Sequence, residues 1–169
     1  MQRIYSSLII SIILLTVFVT EAPAFATVDQ ADRIVVIKSK RVMMLMQNGE
    51  ILKSYRIALG TNPYGHKVRA GDRKTPEGSY IIDSRNPNSA FHLSLRISYP
   101  SRDDVQRAED LGVSPGGSIM IHGLKPQFAY LGKLHREKDW TEGCIAVTDK
   151  EIQEIWRLVP DGTPIVIKP

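Results

Sequence analysis

Residues 140–147 read Trp-Thr-Glu-Gly-Cys-Ile-Ala-Val and contain the only cysteine of the chain, Cys144. The thiol follows Gly143 and precedes an apolar run that is typical of a strand. Glycine beside a nucleophile allows a sharp turn and close approach of a substrate. It also lets neighbouring N–H groups converge on a developing oxyanion. A free cysteine is equally often a small buried hydrophobic residue, so this stretch predicts a strand with a thiol at its entrance and leaves the role of the thiol open.

A nucleophilic Cys144 needs a base, because a free thiol has a pKa near 8.5 and is only a few per cent thiolate at neutral pH. His122 is the first candidate, since it ends the apolar run Ser118–Ile121 and precedes Gly123. A strand end can hold the imidazole rigidly while a carbonyl fixes its other nitrogen. His135 is the rival base, although its charged surroundings are more typical of a solvated loop. No set of His, Asp or Glu has metal-ligand spacing, so we expect neither a metal nor a cofactor.

Composition places the chain among ordinary globular proteins. It has 169 residues, of which 43% are hydrophobic and 24% charged, and this excludes collagen-like, disordered and multi-pass membrane proteins. A single cysteine excludes an intrachain disulfide framework. The net charge of +4 comes from 22 basic and 18 acidic residues. That balance is too even for a nucleic-acid-binding surface, so we expect no nucleic-acid partner.

The N-terminus has the pattern of an export signal. Arg3 precedes the uncharged run LIISIILLTVFV at Leu8–Val19, and Ala24-Phe25-Ala26 follows. A basic start, a short apolar run and small residues at the cut predict a signal peptide over residues 1–26. An uncleaved anchor is the alternative, although the run is shorter than the ~20 residues that a bilayer span needs. The mature domain is then residues 27–169, located in the periplasm or cell wall.

Short apolar runs separated by turn residues predict a mainly β single domain with short peripheral helices. Asn48-Gly49 between two such runs predicts a hairpin. Thr148 and Glu151 form a capping box at the start of a helix, and Asp103–Leu111 predicts another. The strand candidates are Arg33–Lys38, Val42–Gln47, Ile51–Leu59, Tyr80–Asp83, Phe91–Ile97, Ser118–His122 and Thr163–Lys168. Gly60–Glu77, rich in Gly, Pro and charges, predicts a long loop that is functional or mobile.

Three motifs in a fixed order give the chain a family resemblance. Gly71–Tyr80 (GDRKTPEGSY), then Ile121–Gly123 (IHG), then Thr141–Ile145 (TEGCI) resemble the YkuD-type L,D-transpeptidase catalytic domain. The resemblance spans roughly Arg33 to Lys168. Phe91–Pro100 (FHLSLRISYP), together with Asp139–Val147 (DWTEGCIAV), narrows it to a YafK-like subgroup. The resemblance implies a β-sandwich-like domain that acts on peptidoglycan stem peptides containing diaminopimelate.

The resemblance also assigns roles. It implies that Cys144 is the nucleophile and that His122 activates it, while the Gly123 carbonyl helps orient the imidazole. Thr141, Glu142 and Gly143 are expected to support the site or to contribute to an oxyanion hole. The family motif usually has a second histidine where this chain has Glu142. A carboxylate near the thiol would raise the pKa of the thiol by repulsion, attract a cationic amine or orient a water. An outward-facing Glu142 without a chemical role is the alternative.

The reaction outcome stays open at the level of the sequence. The YafK-like subgroup resembles cross-linking transpeptidases and also an amidase that releases lipoprotein from the stem peptide. We therefore expect transpeptidation or its hydrolytic reversal, with a peptidoglycan-linked lipoprotein as a possible partner and the protein as a monomer. A non-catalytic cell-wall-binding module is the alternative, and a peptidase acting on proteins is disfavoured by the motif order.

Nine further side chains complete the set of candidates. Substrate carboxylates could meet Arg69, Arg73, Lys74 and Arg96, although solvated surface charge is the simpler interpretation of each. His66 and His92 are expected to be structural or to face the substrate. The cluster Met43, Met44 and Met46 predicts core packing rather than metal binding.

Overall fold

Eight strands form the framework of the computed structural model, which describes residues 29–169. They are β1 (Arg33–Ile37), β2 (Val42–Gln47), β3 (Glu50–Arg56), β4 (Gly78–Ser89), β5 (His92–Ile97), β6 (Met120–His122), β7 (Ile145–Ala146) and β8 (Pro164–Lys168). The helices are α1 (Arg102–Asp110), α2 (Asp149–Leu158) and a 3-10 segment (Pro126–Glu137). The expected signal peptide lies outside the described residues. Within residues 29–169 no helix is both long and apolar enough to cross a bilayer.

The strands form one curled sheet in the order β3-β2-β1-β8-β4-β5-β6-β7. Neighbours are antiparallel except for the pairs β1–β8 and β6–β7, which are parallel. Beyond β3 the chain continues to Ala58, whose N–H and carbonyl bond Ala146 of β7 at 3.0 and 2.9 Å. The two edges of the sheet therefore meet through this bridge, which leaves less backbone unpaired. The expected mainly β, sandwich-like single domain is confirmed.

Burial alternates along the strands because successive side chains point to opposite faces. Ile34 and Val36 of β1 are fully buried, whereas Val35 between them is only half-buried. The predicted hairpin joins β2 to β3, where Asn48 and Gly49 have φ angles of 52° and 85°. Met43 is fully buried, as predicted for the methionine cluster, and Met44 and Met46 are half-buried. The core lies inside the curl.

Two regions differ from the sequence expectations. β4 runs for 12 residues, well beyond the predicted Tyr80–Asp83, because its polar second half pairs with β5. That half has no apolar alternation and so gave no strand signal. The charged stretch around His135 was expected to be a solvated loop, and this is wrong. It belongs to the 3-10 segment, and the His135 side chain is buried because Trp140 and the cavity wall cover it.

Both α-helices begin at capping boxes, of which the sequence predicted the one at α2; α1 begins at Arg102, one residue before the predicted Asp103. Thr148 accepts a hydrogen bond from the N–H of Glu151 at 3.3 Å, and the Glu151 carboxylate accepts one from the N–H of Thr148 at 2.9 Å. Ser101 and Asp104 form the equivalent box at α1. Satisfying these free backbone donors fixes where each helix starts. For α2, the start matters to the site described below.

Candidate active site

A cavity of about 830 Å³ lies between β5, β6, the 3-10 segment and the turn before β7. Cys144 and His122, which are separated by 22 positions in sequence, both line it. Aromatic rings from Phe91, Phe128 and Trp140 supply much of its wall. The parallel pairing of β6 with β7 brings the two reactive residues to one end of the sheet. The structure thus groups the two candidates that the sequence singled out.

The Cys144 thiol is half-buried at this cavity. Its sulfur lies 3.6 Å from the Ser118 carbonyl, to which the S–H donates. Burial raises the pKa of the Cys144 thiol, and a hydrogen bond from the backbone N–H of Met120 opposes that shift. The thiol is therefore protonated at neutral pH in the free protein. The pKa is raised as expected, but the cause is desolvation rather than repulsion by Glu142.

His122 ends β6 with its ring packed between aromatic side chains. Its ring centroid lies 4.3 Å from that of Phe91 and 5.8 Å from that of Trp140. Nδ1 is 2.7 Å from the Gly123 carbonyl, which can only accept, so Nδ1 carries the proton in the neutral ring. Nε2 is then left with a lone pair. Burial lowers the pKa of His122 to about 4, so the ring is neutral and basic at Nε2 near pH 7.

Gly123 is fixed as glycine by lack of space. A Cβ there would lie 2.6 Å from Oδ1 of Asp149 and 3.0 Å from the Phe91 carbonyl. The same Asp149 oxygen accepts the N–H of Leu124 at 2.8 Å. The first turn of α2 therefore holds the backbone that follows His122. This contact ties the capping of α2 to the orientation of the imidazole.

The turn before Cys144 is organised by Thr141. Its hydroxyl donates to the Cys144 carbonyl at 2.7 Å and accepts the N–H of Gly143 at 3.1 Å. Gly143 has a φ of 127°, and a Cβ on it would lie 2.6 Å from the Lys74 carbonyl. The N–H of Gly143 is thus already bonded, which corrects the expectation that it faces an oxyanion. The N–H of Cys144 has no partner within residues 29–169, so it is the donor left at the nucleophile.

Glu142 lines the cavity at its solvent-exposed side. Its side chain is 73% exposed and pairs with Arg73, with Nε 3.2 Å from Oε2. The carboxylate that replaces the family histidine therefore lies at the rim and does not contact the sulfur. Pairs this exposed contribute little to stability.

The loop Gly60–Glu77 packs against the turn before Cys144 and is held by charged side chains. Burial alone would raise the pKa of Asp72, but hydrogen bonds from Lys67 Nζ and three backbone N–H groups outweigh it and lower the pKa to about 2. Lys38 donates to the carbonyls of Gly65 and Thr75, at 2.7 and 2.9 Å, and to the carboxylate of Glu77. The loop predicted over Gly60–Glu77 is thus fixed by its charges.

His135 shares the cavity with His122 but has the opposite proton arrangement. The indole N–H of Trp140 donates to Nδ1 of His135 at 3.3 Å. Nδ1 therefore acts as an acceptor, and in the neutral ring the proton sits on Nε2. Burial lowers the pKa of His135, which favours that neutral form. With no lone pair on Nε2, this ring cannot take a proton from the thiol, which disfavours it as the base.

Other candidates lie away from the cavity. His66 accepts the N–H of Glu77 at 3.0 Å, and His92 contacts Gln153 at 2.8 Å. None of the four expected carboxylate-binding cations lines the cavity; they are Arg69, Arg73, Lys74 and Arg96. Lys125 and Lys138 do line it, and sequence reasoning missed both. Within residues 29–169 no three side chains of the metal-binding types converge.

Ser118 is a further residue that the sequence did not identify as part of the site. Its φ of 56° is unusual for a residue with a side chain. That conformation aims its carbonyl at the Cys144 sulfur. The preceding Gly116-Gly117 pair was the available signal, since it permits an irregular entry into β6.

Comparisons with known proteins identify the family of the chain. The family model described as "L,D-transpeptidase catalytic domain" matches residues 31–167. The protein named "Putative L,D-transpeptidase YafK" from Escherichia coli strain K12 is 29% identical over 112 residues, which are 65% of this chain and 38% of that relative. The chain therefore spans less than half the length of this curated relative.

Solved structures share the fold. The helical cell shape determining protein Pgp2 from Campylobacter jejuni aligns with a TM-score of 0.63 at 22% identity, covering 83% of this chain and 49% of that one. An L,D-transpeptidase from Xylanimonas cellulosilytica aligns with a TM-score of 0.52 at 14% identity, covering 87% and 64%. The family match extends over nearly all of the described residues and includes both cavity residues Cys144 and His122. The chain belongs to the L,D-transpeptidase catalytic domain family.

Proposed function

We propose that this chain is an exported cysteine acyltransferase that acts on peptidoglycan stem peptides at the diaminopimelate centre through a thioester on Cys144. One observation carries the proposal: a neutral His122 with Nδ1 bonded to the Gly123 carbonyl and a lone pair on Nε2 lines the same cavity as the thiol. Family membership supports an enzyme of this class. The substrate comes from the family resemblance.

The pKa directions favour proton transfer during attack. Burial raises the pKa of Cys144 and lowers that of His122, so the neutral pair is favoured over a thiolate–imidazolium pair. His122 Nε2 takes the thiol proton as sulfur attacks the amide carbonyl carbon, and the carbonyl oxygen becomes an oxyanion. The N–H of Cys144 is the available donor for that oxygen. The imidazolium then protonates the leaving amine, and the thioester remains.

The second half of the reaction decides the product. An acceptor amine that attacks the thioester gives a cross-link or an attached protein, and water gives hydrolysis. We favour cleavage, because the sequence resembles the YafK-like subgroup. The related fold of Pgp2, described as determining helical cell shape, is compatible with a role in cell-wall shape.

Export and location belong to the same proposal. The pattern in residues 1–26 predicts cleavage after Ala26 and a periplasmic or cell-wall enzyme. The intact mass of protein recovered from the periplasm should correspond to a chain that starts at Thr27. Full-length protein in the membrane fraction would instead indicate an uncleaved anchor.

Purified sacculi provide the direct test of activity. We expect incubation with the protein to release peptide or bound lipoprotein, scored by mass analysis of the digested wall. Accumulation of diaminopimelate–diaminopimelate cross-links without release would contradict cleavage and indicate a cross-linking transpeptidase. Binding to sacculi that is unchanged in Cys144→Ala, without any change in the wall, would favour the non-catalytic module.

A further inference from the structure

Two buried polar atoms in the described residues lack a hydrogen-bond partner, and both belong to residues of the active-site cavity. They are Oγ of Ser94 and Nε2 of His135. The side chains are 1% and 6% exposed. An unsatisfied buried polar group is costly, and native proteins keep few of them. Because both atoms belong to residues of one cavity, we expect a ligand bound there to supply the missing hydrogen-bond partners.

Ser94 lies beside the proposed base. It occupies β5 directly opposite His122 of β6 in the antiparallel register. Directly opposed residues project their side chains from the same face of a sheet. The Ser94 hydroxyl is thus on the side of the sheet that faces the cavity, one strand away from the imidazole. A hydroxyl can donate or accept, so it suits a peptide N–H or carbonyl.

His135 lines the same cavity from the 3-10 segment. The Trp140 indole occupies its Nδ1, which leaves Nε2–H as a donor with a fixed direction. The Trp140 ring lies between the two histidines, with centroid distances of 6.2 Å to His135 and 5.8 Å to His122. A neutral N–H donor in an aromatic-walled cavity suits a carbonyl or carboxylate oxygen.

We propose that Ser94 Oγ and His135 Nε2–H bind the backbone or carboxylate oxygens of the acyl-donor peptide in the cavity that also holds Cys144 and His122. This inference deepens the proposed function and rests on it. The partners are peptide oxygens, and the two side chains position the scissile amide without exchanging protons with it. Both atoms are enclosed in the ligand-free chain, so the proposal requires the wall to move when the peptide binds, and we assign that movement to the 3-10 segment, which departs from helical geometry at Gly132.

Binding to an inactive protein tests the inference. The background is Cys144→Ala, and the probe is the disaccharide tetrapeptide purified from digested sacculi, titrated by calorimetry. We expect Ser94→Ala and His135→Phe each to weaken binding about 3- to 10-fold, as for loss of one hydrogen bond. His135→Gln keeps an N–H donor near the position of Nε2 and should restore binding to within about threefold. Ser39→Ala is the matched control, since Ser39 bonds the Pro169 carbonyl far from the cavity.

Thermal unfolding without ligand supplies a second readout. Removing the unpaired Ser94 hydroxyl should leave the melting temperature of Ser94→Ala unchanged or raise it. His135→Phe also removes the Nδ1 acceptor of the Trp140 indole N–H, so its melting temperature should fall slightly. Weaker binding by a Ser94→Ala variant of retained stability, together with recovery of binding in His135→Gln, supports the inference. Unchanged binding in both variants overturns it while the proposed function stands. Failure of the Cys144→Ala parent itself to bind the muropeptide would refute the proposed substrate, and this inference with it.

Discussion

His122 and His135 are both buried histidines of one cavity, yet their surroundings give them opposite chemistry. The strand end around His122 offers its Nδ1 a carbonyl, which accepts, so the free nitrogen is a base. The 3-10 segment around His135 offers its Nδ1 an indole N–H, which donates, so the free nitrogen is a proton donor. The hydrogen-bond partner of Nδ1, rather than burial, decides which histidine can activate the thiol.

The comparison also separates rigid from adjustable regions. The β6–β7 side is held by strand pairing, by Asp149 of α2 and by the Thr141 bridge. The 3-10 segment is broken at Gly132 and is held by the Trp140 contact and by Arg136, which bonds the Arg56 carbonyl at 2.8 Å. The strand side therefore holds the proposed nucleophile and base together with Ser94, and the 3-10 segment holds the other proposed substrate contact, His135.

We expect the largest effect from removing the Cys144 thiol, which His122 at the end of β6 activates in the proposed mechanism. Cys144→Ala should abolish turnover of sacculi while the melting temperature changes little, because a small half-buried side chain is replaced by another. Release of wall peptides is the measurement. Turnover that survives in this variant would refute the thioester mechanism.

We expect the second-largest effect in a comparison of the two histidines, whose alanine variants should differ in kcat/KM. His122→Ala should lower kcat/KM by at least about 100-fold, as for loss of a general base. His135→Ala should lower it by about tenfold or less, mainly through KM. Steady-state kinetics on a defined muropeptide would measure both. A dead His135 variant beside an active His122 variant would reverse the assignment.

The pH profile tests the lowered pKa of His122. Because the folded-state pKa is about 4, the base stays neutral and kcat/KM should remain flat from neutral pH down to about pH 5. It should then fall about tenfold per pH unit below about pH 4. The unfolded ring titrates near 6.5, so the stability contributed by the neutral ring is lost as pH falls from about 6.5 to about 4. A kinetic pKa near 6.5 would contradict the buried, neutral imidazole.

Thr141 tests the rigidity of the nucleophile turn. Thr141→Val removes the hydroxyl that joins Gly143 to the Cys144 carbonyl and should lower kcat about tenfold, since two hydrogen bonds are lost. Thr141→Ser keeps the hydroxyl and should stay within about threefold of the parent. Equal activity of the two variants would show that the bridge is dispensable.

Glu142 gives the smallest expected effect. Its exposed carboxylate pairs with Arg73 and does not contact the sulfur, so Glu142→Gln should change the total rate by less than about twofold. The informative quantity is the ratio of hydrolysed to cross-linked product in the sacculus assay. A shift of that ratio would show that the rim carboxylate selects the acceptor, and an unchanged ratio would remove it from the mechanism.

Much of the fold followed from local patterns. The Asn48-Gly49 hairpin and the Thr148 cap depend on backbone preferences of a few adjacent residues, and the structure has both. The second half of β4 was missed because its pairing with β5, and not its own pattern, makes it a strand. The expected Gly143 oxyanion donor failed for a related reason. Whether its N–H is free depends on the direction of the Thr141 side chain, which the sequence does not encode locally.

The sequence alone determined which residues have reactive chemistry, because a thiol, an imidazole and the glycines beside them are properties of residue type and spacing. It also determined the family, through the order of three motifs. Tertiary structure decided the proton arrangement. The Gly123 carbonyl is next to His122 in the chain, but the Trp140 indole reaches His135 only through the turn of the 3-10 segment. The tautomers depend on the directions in which the rings turn, and the burial that shifts the pKa values and encloses Ser94 and His135 comes from packing between distant segments, so only the folded chain defines them.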